Sequence, residues 1–230
     1  MREVFHQSLE DVQGRLVEIS ELVTVAIDKA TRAFGTGDIG LAEQVIEGDQ
    51  LIDERAASLD ELAIELLARQ QPVARDLRIV VGALRMSASL ERMGDIADHI
   101  AQLARMRFPQ RAIPESLHAT FRRMGELDVQ SARNLTELLR TENHALIEDI
   151  RNADDEIDEL HVTVFEKVLS ENWEGAASAT VDSTLASRYH ERFADHAVSV
   201  AKKVAYLSTG EWKSETDSIT VVAAGAAAEQ

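Results

Sequence analysis

Only three prolines interrupt the 230-residue chain, at positions 72, 109 and 114. Proline inside a helix removes a backbone hydrogen bond and clashes with the preceding turn, so the long proline-free tracts are open to helix formation. Within residues 1–34, apolar side chains recur almost strictly every three or four positions, from Phe5 to Phe34. This spacing predicts one face of a long amphipathic helix. The Gly35–Asp38 segment ends that helix and caps the next one.

Five further helices follow from the same pattern, and no segment alternates polar and apolar residues as a strand would. The sixth helix ends near residue 209, and the first five cover about 1–34, 39–69, 72–107, 115–141 and 143–171. Pro72 is suited to a first helical turn and opens the third helix. The predicted fold is all-α, with two tandem antiparallel three-helix bundles related by internal duplication. We place the first bundle at residues 1–108, the second at 109–212 and a disordered tail at 213–230.

The duplication is clearest in a short acidic motif. Glu91-Arg-Met-Gly-Asp95 returns as Glu191-Arg-Phe-Ala-Asp195, each inside a helix-patterned tract. A spacing of four residues places the two carboxylates of each motif one turn apart on the same helix face. Carboxylates stacked in this way repel each other, so a crowded face requires a neutralising cation or basic side chain.

A second acidic pair precedes each of these motifs. Asp49 and Asp53 follow Leu-Ala-Glu in the first half, and Asp154 and Asp158 follow Leu-Ile-Glu in the second. In an up-down-up bundle the second and third helices are antiparallel neighbours, which brings the two pairs of each half to a similar level. The predicted metal ligands are Asp49, Asp53, Glu91 and Asp95, then Asp154, Asp158, Glu191 and Asp195.

Oxygen ligands of this kind suit hard divalent cations such as Mg, Mn, Ca or Fe, and helical bundles hold such sites between facing carboxylates. The alternative is a set of ordinary surface acids neutralised by Arg75, Arg78 or Arg85. Recurrence in register in both halves favours the site. His99 lies four residues after Asp95 and is a possible neighbour of the metal. Gly94 indicates a close helix–helix approach, since glycine inside a helix costs about 1 kcal/mol against alanine.

Composition narrows the function classes. The net charge of −17 makes nucleic acid and anionic membranes poor partners, and with no cysteine there is no disulfide or thiolate site. No apolar run approaches the length of a membrane span, and the first residues lack a signal-peptide core, so we expect a cytoplasmic protein. Glu-x-x-His strings start at Glu3 and at Glu115, and each stands at a predicted helix start, whereas a di-iron enzyme needs two that project into the core of the bundle. Without a phosphate loop or other catalytic motif, the chain is predicted not to be an enzyme.

With these motifs in view, the sequence resembles the PhoU family of phosphate-transport accessory proteins over about residues 1–210. The matching segments are residues 70–78 (QQPVARDLR), 90–97 (LERMGDIA) and 188–197 (RYHERFADHA). The resemblance implies two duplicated three-helix bundles with metal ions, Mg, Mn, Fe or Zn, on the eight carboxylates named above. The family often has Asn four residues after the motif aspartate, where this chain has His99 and Ser199, so the identity of the metal stays open.

The resemblance also implies a cytoplasmic negative regulator of the phosphate-starvation response and of phosphate uptake. Such a protein links the ATPase subunit of the phosphate importer to a sensor histidine kinase, and we expect a homodimer. Two classes of function therefore stay open. One is a metal-binding regulatory adaptor, and the other is a helical scaffold whose acidic faces bind partners without a functional metal.

Overall fold

The computed structural model describes residues 2–209, with side chains described from residue 7 to residue 208, and every regular element in that part of the chain is helical. The six long helices are α1 (Arg2–Thr36), α2 (Ile39–Gln70), α3 (Ala74–Arg107), α4 (His118–Thr141), α5 (Ala145–Val168) and α6 (Ala177–Thr209). A single 3₁₀ turn, Glu115–Leu117, leads into α4. The predicted all-α fold is confirmed, whereas the predicted disordered tail, 213–230, lies outside the described residues.

Local sequence explains where the helices begin and end. Asp38 caps α2, because its side chain accepts a hydrogen bond from the backbone N–H of Leu41 at 3.0 Å. At the other end of α2, Gln71 adopts the left-handed region with φ of 46°, which stops the helix. Pro72 therefore lies in the connection and α3 begins two residues later, at Ala74, so the prediction that Pro72 occupies the first turn of α3 is wrong.

The helices form two groups of three. Within each group all three helices pack on one another, and the groups meet where α1 packs on α4 and α3 packs on α6. The predicted domain boundaries, 1–108 and 109–212, stay a prediction. For the acidic motifs the relevant contacts are those of α2 with α3 and of α5 with α6, since these pairs carry all eight predicted ligands.

The buried positions repeat between the halves. When α1 and α4 are aligned on their last residues, Thr36 and Thr141, every residue of α1 described as buried has a buried counterpart in α4 or, for Val12, in the preceding 3₁₀ turn. Most buried positions of α3 and α6 likewise coincide when the helices are aligned on Glu91 and Glu191. The internal duplication therefore extends to the core. Within residues 2–209, no helix has an apolar stretch long and uncharged enough to cross a bilayer.

Candidate metal centres

The first acidic cluster lies where α2 packs on α3. Asp49, Asp53 and Asp95 each place one carboxylate oxygen within 4.8 Å of the others. Asp49 and Asp95 are half-buried, whereas Asp53 is exposed. The spacing of four residues on α2 aims two of these carboxylates at the neighbouring helix, and the third meets them from α3. The geometry of this half thus brings together three of the four predicted ligands, and their role in metal binding stays a prediction.

Electrostatics within this cluster are unfavourable without a cation. Burial, together with the negative charges of Asp98, Asp53, Asp95 and Glu91, raises the pKa of Asp49 to about 6. Burial is also the largest cause of the raised pKa of Glu91, with Asp95 and Asp53 adding to the rise and Arg92 opposing it. Glu91 is therefore close enough to belong to the cluster, although its oxygens are not among the three that converge within 4.8 Å.

One oxygen of the cluster lacks any protein partner. The Oδ1 atom of Asp49 is buried and accepts no hydrogen bond. A buried carboxylate oxygen left unpaired is costly, and a bound cation is one of the few groups that would satisfy it. The donors are all carboxylate oxygens, so the residues present fit a hard divalent cation such as Mg or Mn.

Gly94 permits the close approach of the two helices at this point. A Cβ atom at position 94 would lie 3.1 Å from two methyl carbons of Ile52 and 3.3 Å from Oδ1 of Asp49. Such distances are tighter than ordinary van der Waals contact, so a larger residue would displace the neighbouring helix or the carboxylate. The predicted role of Gly94 in helix packing is confirmed.

The second cluster, between α5 and α6, is looser. Burial raises the pKa of Asp154 to about 7, assisted by the charges of Asp158, Asp195 and Asp155 and opposed by Lys202. These interactions place the predicted residues near one another. Within residues 7–208, however, only the first cluster brings three ligand atoms within 4.8 Å of one another.

Glu191 completes the second cluster. Burial raises its pKa, the charge of Asp195 adds to the rise, and Arg188 opposes it. Its Oε2 atom is buried without a hydrogen-bond partner, as Oδ1 of Asp49 is in the first cluster. Each half therefore contains one orphaned carboxylate oxygen within its acidic cluster.

The arginines that contact the clusters are not those named in the alternative of ordinary surface acids. Arg92 donates to Asp95 at 2.7 Å, and Arg188 donates to Glu191. Each arginine lies three residues before its carboxylate on the same helix. No hydrogen bond or ion pair joins Arg75, Arg78 or Arg85 to a carboxylate within the described residues, so these three arginines do not neutralise the clusters as the alternative of ordinary surface acids requires.

Sequence reasoning missed Asp98. This residue is 9% exposed, and after burial its charge is the largest cause of the raised pKa of Asp49. Gln102 donates to one of its oxygens, while its Oδ1 atom is buried without a partner. Asp98 lies one turn after Asp95, and this spacing could have identified it. The search for a motif repeated in both halves excluded it, because Val198 stands at the corresponding position of the second half. His99, which was considered as a neighbour of the metal, instead stacks on Tyr189 with ring centroids 5.2 Å apart.

Comparison with known proteins supports the resemblance found in the sequence. The PhoU domain matches the chain twice, over residues 16–104 and 121–204. The chain belongs to the PhoU family. It is 40% identical over 210 residues to the phosphate-specific transport system accessory protein PhoU homolog 2 of Mycobacterium tuberculosis, which covers 91% of this chain and 99% of that protein. A PhoU homolog 1 from Mycobacterium leprae is also 40% identical, over 92% of this chain and 96% of its own length.

Solved PhoU structures have the same architecture. The crystal structure of PhoU from Pseudomonas aeruginosa superposes with a TM-score of 0.84 at 29% identity, over 90% of this chain and 100% of that one. The regulatory protein PhoU from Streptococcus pneumoniae, at 24% identity, agrees in fold with a TM-score of 0.80, over 91% of this chain and 99% of its own. The two PhoU domains correspond to the two groups of helices, α1 to α3 and α4 to α6.

Proposed function

We propose that this protein is a regulatory accessory protein of a phosphate transport system and that its two acidic clusters bind divalent metal ions. The observation that carries the proposal is the convergence of Asp49, Asp53 and Asp95 within 4.8 Å in a PhoU-family fold. Relatives at 40% identity are named as accessory proteins of phosphate-specific transport. We infer a regulatory role in the cytoplasm rather than an enzymatic one.

The metal part of the proposal rests on charge. In the first cluster Asp49, Asp53, Glu91 and Asp95 would hold the ion, and in the second Asp154, Asp158, Glu191 and Asp195 would do so. A divalent cation supplies positive charge that offsets the mutual repulsion of the carboxylates. Because the ligands of each site come from two different helices, a bound ion would tie α2 to α3 and α5 to α6.

A thermal shift experiment tests metal binding. Protein stripped with chelator is titrated with Mn, Mg, Fe(II) or Zn ions, and its unfolding temperature is measured. Binding to the folded state alone contributes about 2.7 kcal/mol at a concentration one hundred times Kd. Replacing both Asp95 and Asp195 with alanine should remove most of the rise, whereas Glu10→Ala, on α1, serves as a matched control.

The regulatory part concerns partners. We infer that the protein restrains the phosphate-starvation response by linking the ATPase subunit of the phosphate importer to a sensor histidine kinase, and that it acts as a homodimer. Two features support docking: the acidic clusters, and exposed apolar residues along α5 and α6 that include Val162, Phe165 and Val181. Docking through surface charge would weaken with salt, whereas docking through a shared ion would require the metal.

A genetic experiment tests this regulatory role. Deleting the gene should induce phosphate-scavenging genes in phosphate-rich medium, and restoring the unsubstituted gene should repress them. A variant with Glu91, Asp95, Glu191 and Asp195 changed to alanine should fail to restore repression, although it accumulates normally. The proposal is wrong if the deletion leaves these genes silent and affinity purification of the tagged protein recovers neither the ATPase subunit nor a kinase.

A scaffold without functional metal is the second candidate. The observation in its favour is that Arg92 and Arg188 already pair with a carboxylate of each cluster and so neutralise part of the charge. Under this hypothesis the unfolding temperature is unchanged by every ion tested, while the quadruple variant still loses its partners. The combined thermal and genetic results therefore distinguish the two candidates.

A further inference from the structure

A cavity lined by cations lies between α3 and α6, away from both acidic clusters. Its volume is about 400 Å³, and the charged side chains that line it are Arg78, Arg85 and Lys203. Among the described residues, no carboxylate lines it. The chain has 24 basic and 41 acidic residues. A cavity whose described lining contains three cations and no acid is therefore unexpected from the composition.

These cations have no acidic partner within residues 7–208. The Nε atom of Arg78 is buried and forms no hydrogen bond, and no ion pair joins this guanidinium to another described residue. Burial lowers the pKa of Lys203, and the positive charge of Arg85 lowers it further. Among the described residues, Lys203 donates only to Oγ and the carbonyl of Ser199, one turn earlier on its own helix, which uses two of its three donors.

The remaining walls are mainly apolar, apart from the phenol of Tyr206. Leu77, Val81 and Leu207 line the cavity beside the three cations. Gly82 leaves room for the side chain of Leu207, because a Cβ atom at position 82 would lie 3.1 Å from a methyl carbon of that leucine. The cavity is therefore lined by three cations and by mainly apolar side chains. Its volume exceeds that of a single inorganic oxyanion.

We propose that this cavity binds a phosphate-type oxyanion, either free or as part of a small phosphorylated molecule. Arg78 would offer its fork of N–H groups to two oxygens, while Arg85 and Lys203 would supply further positive charge. A dianion would relieve the repulsion among the three cations. Because α3 belongs to the first PhoU domain and α6 to the second, the bound anion would bridge the two domains. Arg78 is also the last residue of the QQPVARDLR segment, to which neither the metal clusters nor the docking proposal gives a role.

Calorimetric titration tests the proposal. Full-length protein is titrated with inorganic phosphate, with adenosine monophosphate and with adenosine, in chelator so that no metal at the acidic clusters can capture the phosphate. Adenosine should not bind. Equal binding of phosphate and the nucleotide would assign the site to the free anion, whereas much tighter binding of the nucleotide would assign it to a phosphorylated molecule.

Three variants and a matched control locate the site. Arg78→Gln, Arg85→Gln and Lys203→Gln should each weaken binding about tenfold or more, since each removes a charged contact. Arg151→Gln, on the exposed face of α5, changes the net charge equally and should leave binding unchanged. The three variants are independent, so one that fails to fold does not stop the test.

Two results would overturn the proposal. One is the absence of heat with both phosphate and the nucleotide at millimolar concentration. The other is an equal loss of affinity in Arg151→Gln and in the cavity variants, which would indicate a general effect of net charge. Because these titrations are done without metal, their failure leaves the metal-binding proposal unaffected.

Discussion

The two halves of the molecule bury many of the same positions, but at some of them the side chains differ in chemistry. Leu90 stands directly before Glu91 in the first half, and His190 stands directly before Glu191 in the second. Val23 and Asp128 also correspond when α1 and α4 are aligned on their last residues. Val23 and Leu90 are ordinary core residues, whereas Nδ1 of His190 lies 2.5 Å from Oδ2 of Asp128 and both side chains are almost completely buried.

The comparison teaches that the helical framework does not require an apolar pair at this position. Burial raises the pKa of Asp128 to about 6, with the neighbouring His190 opposing the rise. The Oδ1 atom of Asp128 and Nε2 of His190 have no hydrogen-bond partner, so the pair is only partly satisfied. A buried pair of this kind contributes little net stability, yet losing one member of it is costly.

The largest expected effect follows from breaking this pair. His190→Leu leaves a buried carboxyl group without its partner and should lower the free energy of unfolding by about 3–5 kcal/mol. Installing both residues of the first half, Asp128→Val with His190→Leu, should restore stability to within about 1 kcal/mol of the unsubstituted protein. Urea denaturation monitored by circular dichroism measures both changes.

Leu90→Ala provides the matched control in the first half. Leu90→Ala should lower the free energy of unfolding by about 2–5 kcal/mol, because it leaves a cavity. Adding Val23→Ala should not restore the lost stability. If the double variant at Asp128 and His190 were as unstable as His190→Leu alone, the two cores would not be interchangeable and the comparison would fail.

A second expected effect concerns the acids that surround each cluster. The first cluster has the buried Asp98 beside it, whereas Val198 takes that place in the second cluster, whose additional acid is the exposed Asp155. Asp98→Asn should weaken metal binding at the first cluster about tenfold, or about 1.4 kcal/mol, since it removes a poorly screened charge.

Titration with manganese measures this effect one site at a time. Asp98→Asn is compared with its parent in a background where Asp195→Ala disables the second cluster. Asp155→Asn is tested with the first cluster disabled by Asp95→Ala, and should have a smaller effect because Asp155 is exposed to solvent. Equal losses at the two clusters would contradict the distinction between them.

Particular residues explain how much the sequence alone could reveal. The residues that end the helices near Asp38, Pro72 and Pro109 act through local backbone geometry. The helix ends could therefore be predicted from the sequence to within a few residues. The ligand candidates could be identified because two copies of one motif stand in the chain. Asp98 has no counterpart in the second half, and nothing local to Asp128 indicates that His190 faces it. Such features depend on which helices contact one another. The spacing of apolar residues along one helix does not contain that information.

The smallest expected effect is a dependence of stability on pH in metal-free protein. The raised pKa values of Asp49, about 6, and Asp154, about 7, mean that the folded state binds more protons than the unfolded state above the ordinary value of 3.8. Stability should therefore fall as pH rises from about 4 to 7. Both side chains are only half-buried, so solvent screening limits the loss to about 1 kcal/mol for each.

Asparagine variants divide this slope between the two halves. Asp49→Asn should remove the part of the loss that is complete near pH 6, and Asp154→Asn the part that extends to about pH 7. The change in stability with pH is compared between each variant and the unsubstituted protein. The comparison is needed because Asp128, whose pKa is also about 6, contributes equally to the pH dependence of all three proteins. Saturating manganese should abolish the difference, since a bound cation favours the charged carboxylates. A stability that rises through this range without metal would mean that Arg92 and Arg188 already outweigh the repulsion, and would favour the scaffold over the metal-binding adaptor.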